Sequence, residues 1–128
     1  MTEHTPSGTN GRVIIRKGEP MQSEADIHPG ICGFRTLARA ETSDGRAVNI
    51  VLDTDCDNVV RFAALLAEQS PLDAFAEINP RADNTVLAAG RDGRCCTDCI
   101  VPASVLKAMR VAAELAFPKD ALVAISGG

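Results

Sequence analysis

Residues 34–53, FRTLARAETSDGRAVNIVLD, decide the fold. FRTLARAE and RAVNIVLD each alternate apolar and polar side chains, and Ser43-Asp44-Gly45 between them is turn chemistry. The stretch predicts a β-hairpin. Downstream the period changes. In DCDNVVRFAALLAEQ, residues 55–69, Val59, Phe62, Ala63 and Leu66 fall at i, i+3, i+4 and i+7, the stripe of an amphipathic helix. Upstream, ADIHPG (25–30) predicts a short strand running into a His-Pro-Gly turn.

The remaining elements follow from punctuation and period. Ser70-Pro71 is expected to cap and start a brief helix in LDAFAEI (72–78), and NTVLAAG (84–90) a further short helical turn. PASVLKAMRVAAELA (102–116) places Leu106, Met109, Ala113 and Ala116 on one face of a main C-terminal helix that Pro118 stops. ALVAIS (121–126) predicts a closing strand. The sum is an α+β class: an antiparallel sheet with helices packed on one face. Residues 23–128 are expected to form a single domain and residues 1–22 a disordered or leader segment, polar at its start. Lys17-Gly18-Glu19 can be encoded by a purine-rich ribosome-binding motif just ahead of Met21, which makes Met21 a candidate natural start.

Composition narrows the function. At 128 residues the chain can bury a modest core built on Ala, Val, Leu and Ile, with four Phe and no Trp or Tyr. A net charge of −4 and so few aromatics argue against nucleic acid as a partner. No apolar run is long enough for a membrane span, and the N-terminus lacks a signal-peptide apolar region, so no membrane partner is expected and the default location is cytoplasmic. In a reducing compartment five cysteines read as free thiols, nucleophiles or metal ligands, not as a disulfide framework. No phosphate-cradling glycine loop is present, and no Cys-His-Asn set can be assembled, so an enzyme is not the favoured reading.

The thiols sit at element boundaries. Cys32 lies in the turn Pro-Gly-Ile-Cys-Gly, Cys56 at the start of the first long helix, and Cys99 at the start of the last. A helix N-terminus stabilises a thiolate, so Cys56 and Cys99 are expected to have lowered pKa values. Cys96-Thr-Asp-Cys99 is a C-x2-C pair that could bind zinc or a cluster, or cycle as a dithiol. A fourth ligand would come from Cys96, Asp98, Asp55 or His28, and Cys95 reads as a bystander. The acidic run Asp53, Asp55 and Asp57 is more simply explained by helix capping than by a metal.

The placement of Cys32, Cys56 and Cys99, spaced by 24 and 43 residues, resembles the U-type iron–sulfur cluster assembly scaffolds over about residues 24–116. SPLDAFAEI is similar to that family's short Leu-Asp-Glu-Ala helix. The resemblance implies the scaffold fold, and roles for Cys32, Cys56 and Cys99 as ligands of an iron–sulfur cluster or zinc. It also implies protein partners in metal or cluster handling. Phe34 stands where the scaffolds have an acidic residue, Asp98 where they have a His, and their chaperone-docking segment is missing. These departures point to a metal- or cluster-holding relative instead of an assembly scaffold. PGICGF, DTDC, CIVPASVLKAM and AFPKDALVAI also look like a family of small prokaryotic proteins without an assigned activity, which puts any site on the same three cysteines. The expected function is metal or cluster binding through Cys32, Cys56 and Cys99, with Cys96 or Asp98 completing the site. The alternatives are a sulfur carrier or redox protein working through Cys99 or Cys56, and an interaction domain with incidental thiols.

Overall fold

The computed structural model describes residues 21–80 and 83–127. The hairpin forms as expected. Strands β2 (Thr36–Thr42) and β3 (Ala47–Thr54) pair antiparallel with Thr42 opposite Val48. Asp44 accepts from the N–H groups of Arg46 and Ala47 at 2.9 Å, and Gly45 turns the chain with φ +80°. β1 (Met21–Ile27) pairs antiparallel with β2 on the other side. β1 begins at Met21, so the last two residues of the expected leader segment are strand; the expectation for residues 1–20 lies outside the described residues.

The sheet has the order β1-β2-β3-β4, with a two-residue β4 (Leu72–Asp73) beside β3. On β2, Thr36, Ala38, Ala40 and Thr42 are buried, while Leu37 and Arg39 face out. The small buried alanines let helices approach closely. α4 (Val101–Ala112) crosses β1 and β2, and Ser23 Oγ donates to the Ala108 carbonyl at 2.6 Å. α1 (Asp57–Gln69) covers β3, and α3 (Thr85–Asp92) wedges between α1 and α4. Phe62, Leu66, Val86, Val101, Val105 and Met109 fill the core between these layers. A fully buried side chain such as Phe62 contributes about 1.5–3 kcal/mol. The α+β class, an antiparallel sheet carrying helices, is thus the architecture of the molecule. Among the described residues no helix is long and apolar enough to cross a membrane.

Three local expectations are corrected. Ser70-Pro71 does not start a helix: Ser70 caps the end of α1, its Oγ donating to Leu66 O at 2.9 Å. Leu72 is then drawn into the core opposite Val48, and α2 shrinks to Ala74–Glu77, capped by Asp73. α4 ends well before Pro118. Glu114 takes φ +63°, its N–H meets Val111 O and the Leu115 N–H meets Arg110 O, a Schellman closure. The end of the helix sits near the hairpin turn: a Cβ added at Gly45 would lie 3.9 Å from the Ala113 carbonyl. Its buried face is Val101, Val105, Ala108, Met109 and Ala112, rotated from the expected one, with Leu106 half-buried at the edge. Finally, residues 121–126 form no strand. Leu122, Val123 and Ile125 are 88%, 75% and 90% exposed, since no strand of the sheet pairs with them and α4 already covers the apolar face.

Candidate functional site

Each thiol is positioned by a different local device. Cys32 occupies the tight turn Gly30–Gly33, closed by the Gly33 N–H on Gly30 O at 3.0 Å. Both glycines have positive φ, +97° and +75°, and Cys32 is exposed. Cys56 is the N-cap residue of α1. Its thiol makes no capping hydrogen bond, while its N–H donates to Thr54 Oγ1 at 3.1 Å. None of the three neighbouring aspartates is the N-cap; Asp57 lies in the first turn of α1.

Cys95 follows α3 through a second Schellman closure. Arg94 takes φ +65°, its N–H meets Arg91 O, and the Cys95 N–H meets Gly90 O, both at 3.0 Å. The connecting chain is fastened to α1. Arg61 Nε donates to Gly93 O at 3.0 Å and its guanidinium also reaches Asn58 Oδ1. Cys95 Sγ points at the Asn58 carbonyl at 3.8 Å, in the first turn of the helix that Cys56 opens. Cys96 is exposed, and its carbonyl accepts from the Cys99 N–H at 2.9 Å. Cys56, Cys95 and Cys99 are half-buried against the core.

The electrostatics reverse one expectation. Cys99 does accept a hydrogen bond from the Val101 N–H at the start of α4, which favours its thiolate. Burial outweighs that bond, and the charges of Cys56, Cys96 and Cys32 act in the same direction as burial, so its pKa is raised. Cys95 is pushed up to about 11, first by burial, then by the charges of Cys99, Cys56 and Cys96. Burial is the first cause at both thiols. Cys95, which the sequence marked as a bystander, packs inward against the first turn of α1.

The other candidates go elsewhere. Asp98 is exposed. His28 lies 3.2 Å from Asp26, and Asp26 is held by both nitrogens of a bidentate Arg35 at 2.7 and 2.8 Å. Asp53 and Asp55 line a shallow pocket of about 170 Å³ with Arg35, Leu37 and Thr54. Among the described residues, no three His, Cys, Asp or Glu side chains form a group that could hold a metal ion as they stand. Sulfur donors fit a soft metal, but the thiols would have to move closer together to share one.

Residues 23–125 match the family of unknown function DUF6951, and the chain belongs to that family. No curated protein and no solved structure matches it.

Proposed function

We propose that this member of DUF6951 holds a soft metal ion or an iron–sulfur cluster through Cys32, Cys56 and Cys99, with Cys96 or Asp98 as the remaining ligand, and has no turnover of its own. One observation carries the proposal: Cys56 and Cys99, from two distant segments of the chain, are both half-buried against the same core at the starts of α1 and α4. Burial and mutual repulsion make bare thiolates costly here, and a bound cation offsets both. Sulfur ligands favour zinc, copper(I) or iron–sulfur clusters over hard cations.

Cys32 and Cys96 are exposed on turns, so these two close over the metal while Cys56 and Cys99 stay anchored against the core. Ile31 and Ile100 are exposed beside Cys32 and Cys99, which offers a protein partner in metal or cluster handling an apolar rim around the ligands.

The test is anaerobic purification followed by visible absorbance and elemental analysis on the same sample. Colour with iron and sulfide, or colourless stoichiometric zinc, is expected, and Cys99→Ser loses most of it. A wild-type protein that stays metal-free after reconstitution with zinc, and with iron and sulfide, overturns the reading.

A further inference from the structure

The C-terminal tail and the outer edge of β1 are both unpaired. Residues 117–127 are exposed throughout, and residues 118–127 join no helix or strand. Phe117, Leu122, Val123 and Ile125 lie open to solvent. Residues 121–127, ALVAISG, carry no charge and include the strand formers Val123 and Ile125. Among the described residues, β1 has β2 as its one neighbour in the sheet. Alternate residues of such an edge turn their N–H and C=O groups outward, a template for a further strand. Edge strands guard against pairing with a proline, a bulge or an unmatched charge. β1 has none of these. Its seven residues pair with β2 in unbroken register, and none is proline. Both of its acids are matched: Glu24 accepts from Arg39 at 2.9 Å, and Asp26 accepts from Arg35 at 2.7 and 2.8 Å. The opposite edge of the sheet is broken. There β4 takes up Ala47 and Val48, and the exposed Asp53 stands on the free end of β3.

We propose that two copies of this chain exchange tails, residues 121–126 of each adding as a strand to the open edge of β1 in the other. A second copy is the occupant because every chain carries both complementary parts, an uncharged strand-forming tail and an unguarded edge, and its own fold leaves the tail exposed. The root of the tail fits this exchange. α4 closes at Glu114 and Leu115. A Cβ added at Gly45 would lie 3.9 Å from the Ala113 carbonyl and 3.5 Å from Met21 Cε, so the tail leaves the domain near the first residue of β1. Residues 116–120, fully extended, span up to about 17 Å, enough to cross to a neighbouring edge. A copy that lends its tail to a partner's β1 thus presents its own β1 to the partner's tail, and the exchange closes about a two-fold axis. Two copies satisfy both tails and both edges, so assembly stops at the dimer. No thiol takes part.

The full chain is sedimented over a range of concentrations, with a thiol reductant and a chelator present so that neither a disulfide nor a shared metal joins copies. A monomer–dimer equilibrium is expected. As the dimer fills, hydrogen exchange read by mass should slow at least about tenfold both in tail residues 121–126 and at the β1 amides that β2 does not bind. The companion variant carries Val123→Pro and Ala124→Pro together. Neighbouring residues of an added strand point their N–H groups opposite ways, so one of the two prolines removes a hydrogen bond to β1 while the tail stays apolar. Both positions are exposed, so the variant is expected to stay folded, with unchanged helical circular dichroism, and to be monomeric. The proposal fails if wild type is monomeric at every concentration or grows into open polymers. It fails equally if the double-proline variant still dimerises, or if dimerisation protects β3 in place of β1.

Discussion

Gly93 lies against the backbone of Phe62: a Cβ added to it would come within 2.9 Å of the Phe62 nitrogen and 3.1 Å of its Cα. That contact seats the α3–α4 connection on α1 and so brings Cys95 to the helix that Cys56 opens. Backbone cannot yield as a flexible side chain does. Gly93→Ala is expected to cost about 1–3 kcal/mol, measured by urea denaturation, because α1 and the connection must move apart. An unchanged midpoint would show that the two segments are not tightly docked.

Thiol reactivity should follow exposure and pKa. Cys32 and Cys96 are exposed and are expected to be alkylated first, with Cys95 last near neutral pH. Its reaction should accelerate about tenfold per pH unit until pH approaches about 11, where the thiolate becomes the main form. Timed iodoacetamide labelling with fragment masses reads the order. Early labelling of Cys95 would contradict its burial.

Acid should destabilise the sheet's polar fastenings. Asp26 is held below its usual value by Arg35, Asp73 by Arg46, and Asp44 by the N–H groups of Arg46 and Ala47. Each folded-state pKa lies below the ordinary carboxylate value of 3.8, so the stabilisation is complete above that value. It is lost as pH falls through the lower folded values. Thermal melts should therefore show this contribution flat down to about pH 5 and declining below about pH 4. Asp26→Asn should reduce the decline. The groups are solvent-accessible, so raised salt should weaken the Asp26–Arg35 and Asp73–Arg46 contributions.

Glu114 holds a left-handed conformation, φ +63°, at the position where a Schellman closure favours glycine. Glu114→Gly is expected to stabilise the protein by about 1 kcal/mol, since glycine adopts this φ without the Cβ clash. A raised melting temperature checks it.

Glu77 is a buried carboxylate whose Oε1 accepts from the Val86 N–H at 2.9 Å, in the first turn of α3. Its backbone carbonyl also accepts from Asn84 Nδ2, the side chain that caps the same helix. Glu77→Ala leaves the Val86 N–H without this partner in a buried position. The expected loss is about 1–3 kcal/mol in denaturant titration.

Much of this was legible from local pattern. The alternation in residues 34–53 foretold β2, β3 and the Gly45 turn, because side-chain direction in a strand has period two whatever lies nearby. Val59, Phe62 and Leu66 foretold the buried stripe of α1 for the corresponding helical reason. Where the outcome depended on a surface supplied by another element, the local pattern misled. ALVAIS has strand character but no strand of the sheet to pair with, and Pro118 could stop a helix that had already ended above Gly45. Leu72–Asp73 joined the sheet because Val48 offered it a place.

The same division runs through the thiols. By itself the sequence determined that five cysteines are present, that Cys32 lies in a glycine turn, and that Cys56 and Cys99 stand at helix starts. Residue spacing settles such positions because caps and turns are made from near neighbours. Only the tertiary structure decided that Cys95, not Cys96, turns inward onto the first turn of α1, and that burial raises the Cys99 pKa against its helix terminus. Desolvation depends on which distant atoms exclude water, and here those atoms belong to a core assembled from α1, α3 and α4.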